Sequence, residues 1–411
     1  LVFGLAAGSI LLFAGSIHGG FIWDDRLLIS ENPRLREPDY LWQAIRHPFP
    51  YVSSLVLWGE GMYRPVVSAA YGIEYRLFGQ DTFGYHLVNL ALNAACVVLV
   101  FFWLQRRLLR DEPGSSVPVA AALGAALFAV HPSHAETVAW ISGSTDLWAA
   151  FWGLLALTVW DRFRGTAGAV LAGLLFVLSF YSKETGLMLP VALAVDESIR
   201  GGQQGAGRRW RHAAVVGSIL AASMVLRHHI IPGADIVFGG IGHSLVSVVA
   251  TFGGYLRISL WPWPPSTQVG YLAPVAAGAR SYPAVYIALG LTGLVGFTIL
   301  ALAAWRRPSL RPWLADAVWF VAPLIPVLNF VEVNPEYFMY ERSLYLSAMG
   351  WAAASARLWM RVGAHSRRLR TMVTTGAGLL LAADAAGAAL HALHFVSGTA
   401  LWSYEAHLGH M

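Results

Sequence analysis

Leu1-Val2-Phe3-Gly4-Leu5-Ala6-Ala7-Gly8-Ser9-Ile10-Leu11-Leu12-Phe13-Ala14-Gly15-Ser16-Ile17 is an unbroken apolar run, followed at once by His18-Gly19-Gly20-Phe21-Ile22-Trp23-Asp24-Asp25-Arg26. Such a run is either a cleaved leader or a membrane helix. No small-residue cleavage site precedes His18-Gly19-Gly20, and further apolar spans follow, so the reading is a transmembrane helix. The chain opens at Leu1 rather than Met, so sequence upstream of it is expected. An adjacent pair of carboxylates then stands at the rim of the bilayer, where ionised groups are costly and usually functional.

Composition generalises the reading of that first run. Of 411 residues, 56% are hydrophobic and 12% charged, with a mean hydropathy of +0.55. A soluble domain carries about 25% charged residues, roughly twice as many. A soluble enzyme, a disordered chain, a coiled coil and a disulfide scaffold are excluded. Cys96 is the only cysteine, so no intramolecular disulfide forms. The basic balance, 28 Lys+Arg against 23 Asp+Glu, does not point to nucleic acid, because most arginines cluster between apolar spans. The fold class expected is an all-α polytopic membrane protein.

Crossing the hydrocarbon core takes about 20 apolar residues. Spans near that length are 1–17, 84–104, 118–131, 135–160, 167–182, 185–199, 213–231, 283–305, 313–331, 343–360 and 371–391, eleven in all. A twelfth run, 245–262, is interrupted by Gly253-Gly254 and Arg257 and ends in Trp261-Pro262-Trp263-Pro264-Pro265, which suits an interfacial or re-entrant element. With a cytoplasmic N-terminus, sixteen arginines fall in short inner loops: Arg106/Arg107/Arg110, Arg162/Arg164, Arg200/Arg208/Arg209/Arg211, Arg306/Arg307/Arg311 and Arg361/Arg367/Arg368/Arg370. That is the positive-inside distribution, and counting 245–262 as a span would spoil it. The organisation expected is a membrane module over 1–391, with long outer segments 18–83 and 232–282, and an outer tail over 392–411. The first outer segment contains an amphipathic helix, Tyr63–Phe78.

Six groups of residues fall on the outer face in this topology. Asp24 and Asp25 offer a general base, a metal-binding pair, or one of each; a solvated helix-end pair is the plain alternative. Arg64 is suited to a bidentate hold on an anionic headgroup or to snorkelling. His86 and Asn89 share one helix face. His131, His134 and Glu136 resemble a metal spacing, but Pro132 breaks the helix that would align the imidazoles, so a polar cavity wall together with Asp146 is the better reading. Lys183, the only lysine, stands beside Glu184. Glu341 and Arg342 open a helix, where an arginine adds its charge to free amides and makes an anion site. Together these describe a site for a lipid phosphate and a nucleophile needing deprotonation.

These stretches resemble the GT-C glycosyltransferases, which use polyprenyl-phosphate sugars, and more closely the transmembrane and tetratricopeptide-repeat O-mannosyltransferases and their bacterial relatives. The stretches that carry the resemblance are Phe21-Ile22-Trp23-Asp24-Asp25, Glu31-Asn32-Pro33, Tyr63-Arg64-Pro65, Gly84-Tyr85-His86-Leu87-Val88-Asn89, the block from Phe128 to Gly143, Ser182-Lys183-Glu184, and Glu341-Arg342-Ser343-Leu344-Tyr345-Leu346. They run in order over about residues 20–350. The resemblance implies a GT-C-like bundle of about 11 membrane helices and an inverting transfer of mannose or a similar sugar from a polyprenyl-phosphate donor to a Ser/Thr hydroxyl or other acceptor. It implies Asp24 as base, Asp25 orienting the acceptor or binding a divalent ion, and Arg342, Lys183 and Arg64 at the donor phosphate. It places the protein in a bacterial inner membrane with its site facing the periplasm, with lipid-linked sugar, protein or glycan acceptor and membrane-complex partners, and no nucleic acid. Tail residues Leu401–His407 resemble the lead-in to tetratricopeptide repeats. The alternative is a lipid-linked sugar flippase or an inactive complex subunit, which should carry its charges near the bilayer midplane.

Overall fold

The computed structural model describes residues 1–51, 62–163, 165–201, 206–231, 241–265, 282–328 and 339–407. Among them the regular structure is helical. The first helices are α1 (Val2–Phe13), α2 (Tyr40–Ala44), α3 (Pro65–Phe78), α4 (Thr82–Asp111), α5 (Val117–Val130) and α6 (His134–Ala139). Then come α7 (Ser144–Arg162), α8 (Thr166–Ser182), α9 (Met188–Ile199), α10 (Ala206–Ile230) and α11 (Ile241–Leu260). The last are α12 (Ala284–Arg306), α13 (Arg311–Val321), α14 (Leu344–His365), α15 (Arg367–Ala392) and α16 (Gly398–His407). The chain is an all-α polytopic membrane protein. Among the described residues five helical stretches are by themselves long and apolar enough to cross a bilayer, and four further apolar ones are shorter.

One core runs through the bundle, from Phe13 on α1 through Val97 and Val100 on α4, Phe128 on α5 and Phe176 on α8 to Tyr345 on α14. A second core folds the first outer segment: Leu28, Ile29, Leu35 and Tyr40 pack on Val67 and Tyr71 of α3. That helix ends at Phe78 as expected but starts at Pro65 rather than Tyr63, with the proline at its first position, where the missing N–H costs nothing.

The span expected over 135–160 is broken in two. After α6, Trp140 is extended and Ile141–Gly143 form a 3-10 turn before α7 begins. Gly143 makes the turn possible, since a Cβ there would lie 2.5 Å from the Thr137 carbonyl oxygen. The carbonyls left over at the break are met by Asn89 on α4, whose Nδ2 donates to Val138, Trp140 and Ile141 at 3.3, 2.9 and 3.3 Å. Upstream, α5 stops at Val130 because His131 precedes Pro132 and takes extended backbone.

The 245–262 run forms α11, which crosses α12 closely at Gly253, where a Cβ would overlap the Tyr286 carbonyl. Ile231, just past α10, packs with Tyr63 and Tyr181. Tyr255 and Ile258 of α11, and Tyr282 and Tyr286 around the start of α12, pack with Met339 and Leu344 on either side of Arg342. The end of α10, the end of α11 and the start of α12 therefore share one end of the bundle. The opposite end is rich in arginine. There Arg107 Nη2 donates to Asp316 at 2.8 Å, and Arg357 donates to Asp316 at 2.7 Å and to Asp111 at 2.8 Å. Asp196 pairs with both Arg107 and Arg200.

Candidate active site

Asp24 and Asp25, adjacent in sequence, have opposite surroundings. Trp23, the residue before them, holds a left-handed backbone with φ 51°, a strained position for a bulky side chain. Packing holds it there: its indole stacks on Trp140 at 5.0 Å and meets the edge of Trp402 at 5.7 Å. Asp25 is fully buried. Its carboxylate accepts from the backbone N–H of Ile22 at 3.0 Å, from the backbone N–H of Ser142 at 2.9 Å, and from the Ser142 hydroxyl. Asp25, expected to orient the acceptor or bind a divalent ion, is thus held by backbone and hydroxyl donors of its own chain. The helix break supplies the Ser142 N–H that Asp25 needs.

Asp24 is exposed and has no hydrogen-bond partner among the described residues. Crowding by the surrounding protein raises its carboxyl above the ordinary range, and the nearby Arg342 charge pulls the other way. Burial pushes the Asp25 carboxyl up to about 7, against the lowering effect of its hydrogen bonds to Ser142 and Ile22, and Asp24 adds to the rise.

The three cations expected at a donor phosphate come together, each with a carboxylate already in place. Lys183 Nζ donates to both oxygens of Asp146, at 2.7 and 2.6 Å. Arg64 holds Glu184 through Nη2 at 2.7 Å and Nε at 3.2 Å. Arg342 pairs with the buried Glu136, and its backbone N–H also donates to that carboxylate at 2.8 Å. The anion at this helix start is therefore Glu136, where the sequence suggested an open anion site. Lys183 and Arg342 thus pair with acids distant in sequence rather than with their neighbours Glu184 and Glu341. Burial depresses the Lys183 ammonium; Asp146 opposes this, and Arg342 and Arg64 add to it, which places the three cations in one field. The Arg342 guanidinium lies over Tyr340 at 4.2 Å and Trp140 at 5.1 Å.

The remaining candidates build the walls. His86 contacts the Gly19 carbonyl at 3.1 Å and holds the chain leaving α1. His131 bonds its neighbour Ser133 at 2.8 Å, while the His134 ring packs between Phe128 and Tyr345. Glu136 is committed to Arg342, and both histidines are buried beside it in sequence. Among the described residues no three His, Cys, Asp or Glu are grouped to hold a metal ion. Glu341 lies 3.7 Å from His391 on α15. The sequence reading missed roles for Ser142, Trp23 and Trp402; Ser142 lay inside the Trp140-Ile141-Ser142-Gly143 stretch already singled out, but nothing local said what it would bind.

No protein-family model matches the chain. Protein O-mannosyl-transferase Tmtc1 of Drosophila melanogaster is 28% identical over 475 residues, covering 92% of this chain and 54% of that protein. A Caenorhabditis elegans protein O-mannosyl-transferase is 32% identical over 197 residues, covering 46% of this chain and 26% of its own length. The chain thus spans about half or less of these relatives. Both are animal proteins, so they lend no support to the bacterial inner membrane. An oligosaccharyltransferase of Archaeoglobus fulgidus shares the fold, with a TM-score of 0.51 at 13% identity, covering 94% of this chain and 53% of that one. The likeness in sequence to protein O-mannosyl-transferases and the fold shared with an archaeal oligosaccharyltransferase agree with the resemblance read from the motifs.

Proposed function

We propose that the chain is an inverting glycosyltransferase that moves a sugar from a polyprenyl phosphate to a protein Ser or Thr hydroxyl. Mannose is the sugar that its relatives' names suggest. The observation that carries the reading is the division of labour at the acidic pair. Asp25 is locked by Ile22 and Ser142, and Asp24 is left exposed, with a raised affinity for protons, beside Arg342. Asp24 takes the hydroxyl proton as the acceptor oxygen attacks the anomeric carbon. The bond from that carbon to the phosphate oxygen breaks, the electron pair leaves with the polyprenyl phosphate, and the configuration inverts. A base in this position contributes about 10²–10⁴-fold.

Arg342, Lys183 and Arg64 stabilise charge growing on the leaving phosphate. Their carboxylate partners hold them in position beforehand and leave part of each cation's N–H set for the donor; Lys183 keeps one of three. The acidic pair and these cations gather at one end of the bundle rather than at mid-depth, which favours transfer over transport. In the arginine-derived topology this end faces away from the cytoplasm.

The test is donor-dependent labelling of acceptor peptides by the purified protein. Asp24→Asn should abolish labelling while the fold is kept. Full labelling by Asp24→Asn would remove Asp24 as base. Movement of a fluorescent polyprenyl-phosphate sugar between leaflets, without transfer, would replace the enzyme reading with a flippase.

A further inference from the structure

Two cavities lie side by side at the arginine-rich end. Arg106 is 20 residues beyond His86 on α4, which at 1.5 Å per residue puts this end about 30 Å from the acidic pair's end. The first cavity, of 470 Å³, is walled by Arg106, Arg107, Arg110, Trp160, Arg200 and His212. The second, of 450 Å³, lies between α9 and α10 and is lined by apolar side chains such as Val191, Val195, Val216 and Leu220. Trp160, Leu193 and Glu197 line both, so the two adjoin.

The cations of the first cavity are only partly satisfied. Arg106 donates to the Thr158 carbonyl at 3.3 Å and meets no carboxylate among the described residues. Arg200, 5% exposed, keeps a buried Nη2 without an acceptor, and Arg107, 7% exposed, keeps Nε the same way. Of the three acids that line this cavity, Asp196 pairs with Arg107 and Arg200, Glu197 pairs with Arg110, and Asp161 is also engaged. A buried guanidinium N–H without an acceptor is costly, and an anion entering the cavity relieves it. Trp160 and the exposed Trp210 line the apolar cavity, and tryptophans favour headgroup depth.

We propose that this double cavity binds an anionic glycerophospholipid, with its phosphate on Arg106 and Arg200 and one acyl chain in the apolar half between α9 and α10. Basic pockets between membrane helices recognise anionic headgroups, and the adjoining apolar slot selects for a chain. A free phosphate would use only half of the site.

Native mass spectrometry of the full chain, equilibrated with equal phosphatidylglycerol and phosphatidylcholine, tests this. Phosphatidylglycerol should be retained at least about tenfold over phosphatidylcholine, the equivalent of one strong charged contact. Arg106→Ala should remove that preference, and Arg106→Lys should keep most of it. Gly217→Phe should lower retention of the phospholipid by about tenfold; Gly217 lines the apolar half, and an added Cβ there meets nothing within 4 Å. Both variants should melt with the wild type in lipid-free detergent. Equal retention of the two lipids, retention by Arg106→Ala at the wild-type level, or displacement by millimolar glycerol 3-phosphate would each overturn the proposal.

Discussion

Two neighbouring carboxylates with different burial should respond differently to the same substitution. Asp24→Asn removes a group with no hydrogen-bond partner among the described residues, so transfer should fall by about 10²–10⁴-fold with an unchanged melting temperature. Asp25→Asn forces an amide against the Ser142 and Ile22 donors and should cost about 1–3 kcal/mol of stability; thermal unfolding of the two variants side by side checks the contrast. The pH dependence follows from the same environment. Transfer needs the Asp24 carboxylate, whose raised pKa should make kcat/KM fall on acidification above the ordinary 3.8. Asp25, up at about 7, works in the opposite sense for the fold. Its protonated form is favoured in the folded state, so its contribution is complete below about pH 4 and is lost as pH rises through about 7. A pH–rate profile with its acidic limb near pH 4 would contradict the assignment. Asp24 was legible as a candidate in the sequence. Its contrast with Asp25 in burial and bonding was not, because that depends on Ser142, 117 residues away.

At the scale of elements, the break between α6 and α7 organises the site. Gly143→Ala should push a methyl group onto the Thr137 and Glu136 carbonyls, lower the melting temperature and reduce transfer, since the same turn presents Ser142 to Asp25. The cations are best tested as pairs. Lys183→Ala leaves Asp146 buried and uncompensated, a loss of about 3–5 kcal/mol, whereas Lys183→Ala with Asp146→Ala should regain much of that stability. Both should transfer poorly if Lys183 serves the donor phosphate. Recovery of transfer together with stability would make the pair purely structural. Trp402→Ala acts from α16 through Trp23 and should lower kcat with little change in KM, as a positioning residue does. Pro132 and Pro65 marked helix boundaries in the sequence. The break at 140–143 left no comparable mark, because Asn89 from another helix satisfies the carbonyls.

On the scale of the whole molecule, the acidic pair and the arginine network occupy opposite ends of the bundle. Cysteine labelling reads which end faces outward, and the single native cysteine, Cys96, is buried and silent. Ser53 in the first outer segment and Gly202 in the arginine-rich loop, which the arginine count puts on opposite faces, lie outside the described residues. Gln80, at the acidic pair's end, and His365, at the arginine end, are exposed alternatives. An impermeant reagent on intact cells should label Gln80→Cys and spare His365→Cys; the reverse pattern would invert the topology. Asp316, fully buried between Arg107 and Arg357, ties α4, α13 and α14 together, so Asp316→Ala should unfold the arginine end at a cost of about 3–5 kcal/mol.

Hydropathy and arginine spacing are local properties, so the sequence by itself determined that the chain is a multi-pass helical membrane protein. The ordered motifs likewise pointed to the acidic pair, Lys183 and Arg342 without any coordinates. Tertiary structure alone decided which carboxylate is anchored and which is free, and which acid each cation holds. It also decided that α11 ends at the same end of the bundle as α10, and that Arg107, Arg200 and Arg357 form a buried network rather than loop charges. The reason is physical. Burial and hydrogen-bond partners are set by residues far apart in the chain, as with Arg64 and Glu184 or Glu136 and Arg342, and no local pattern records which distant helix supplies the partner.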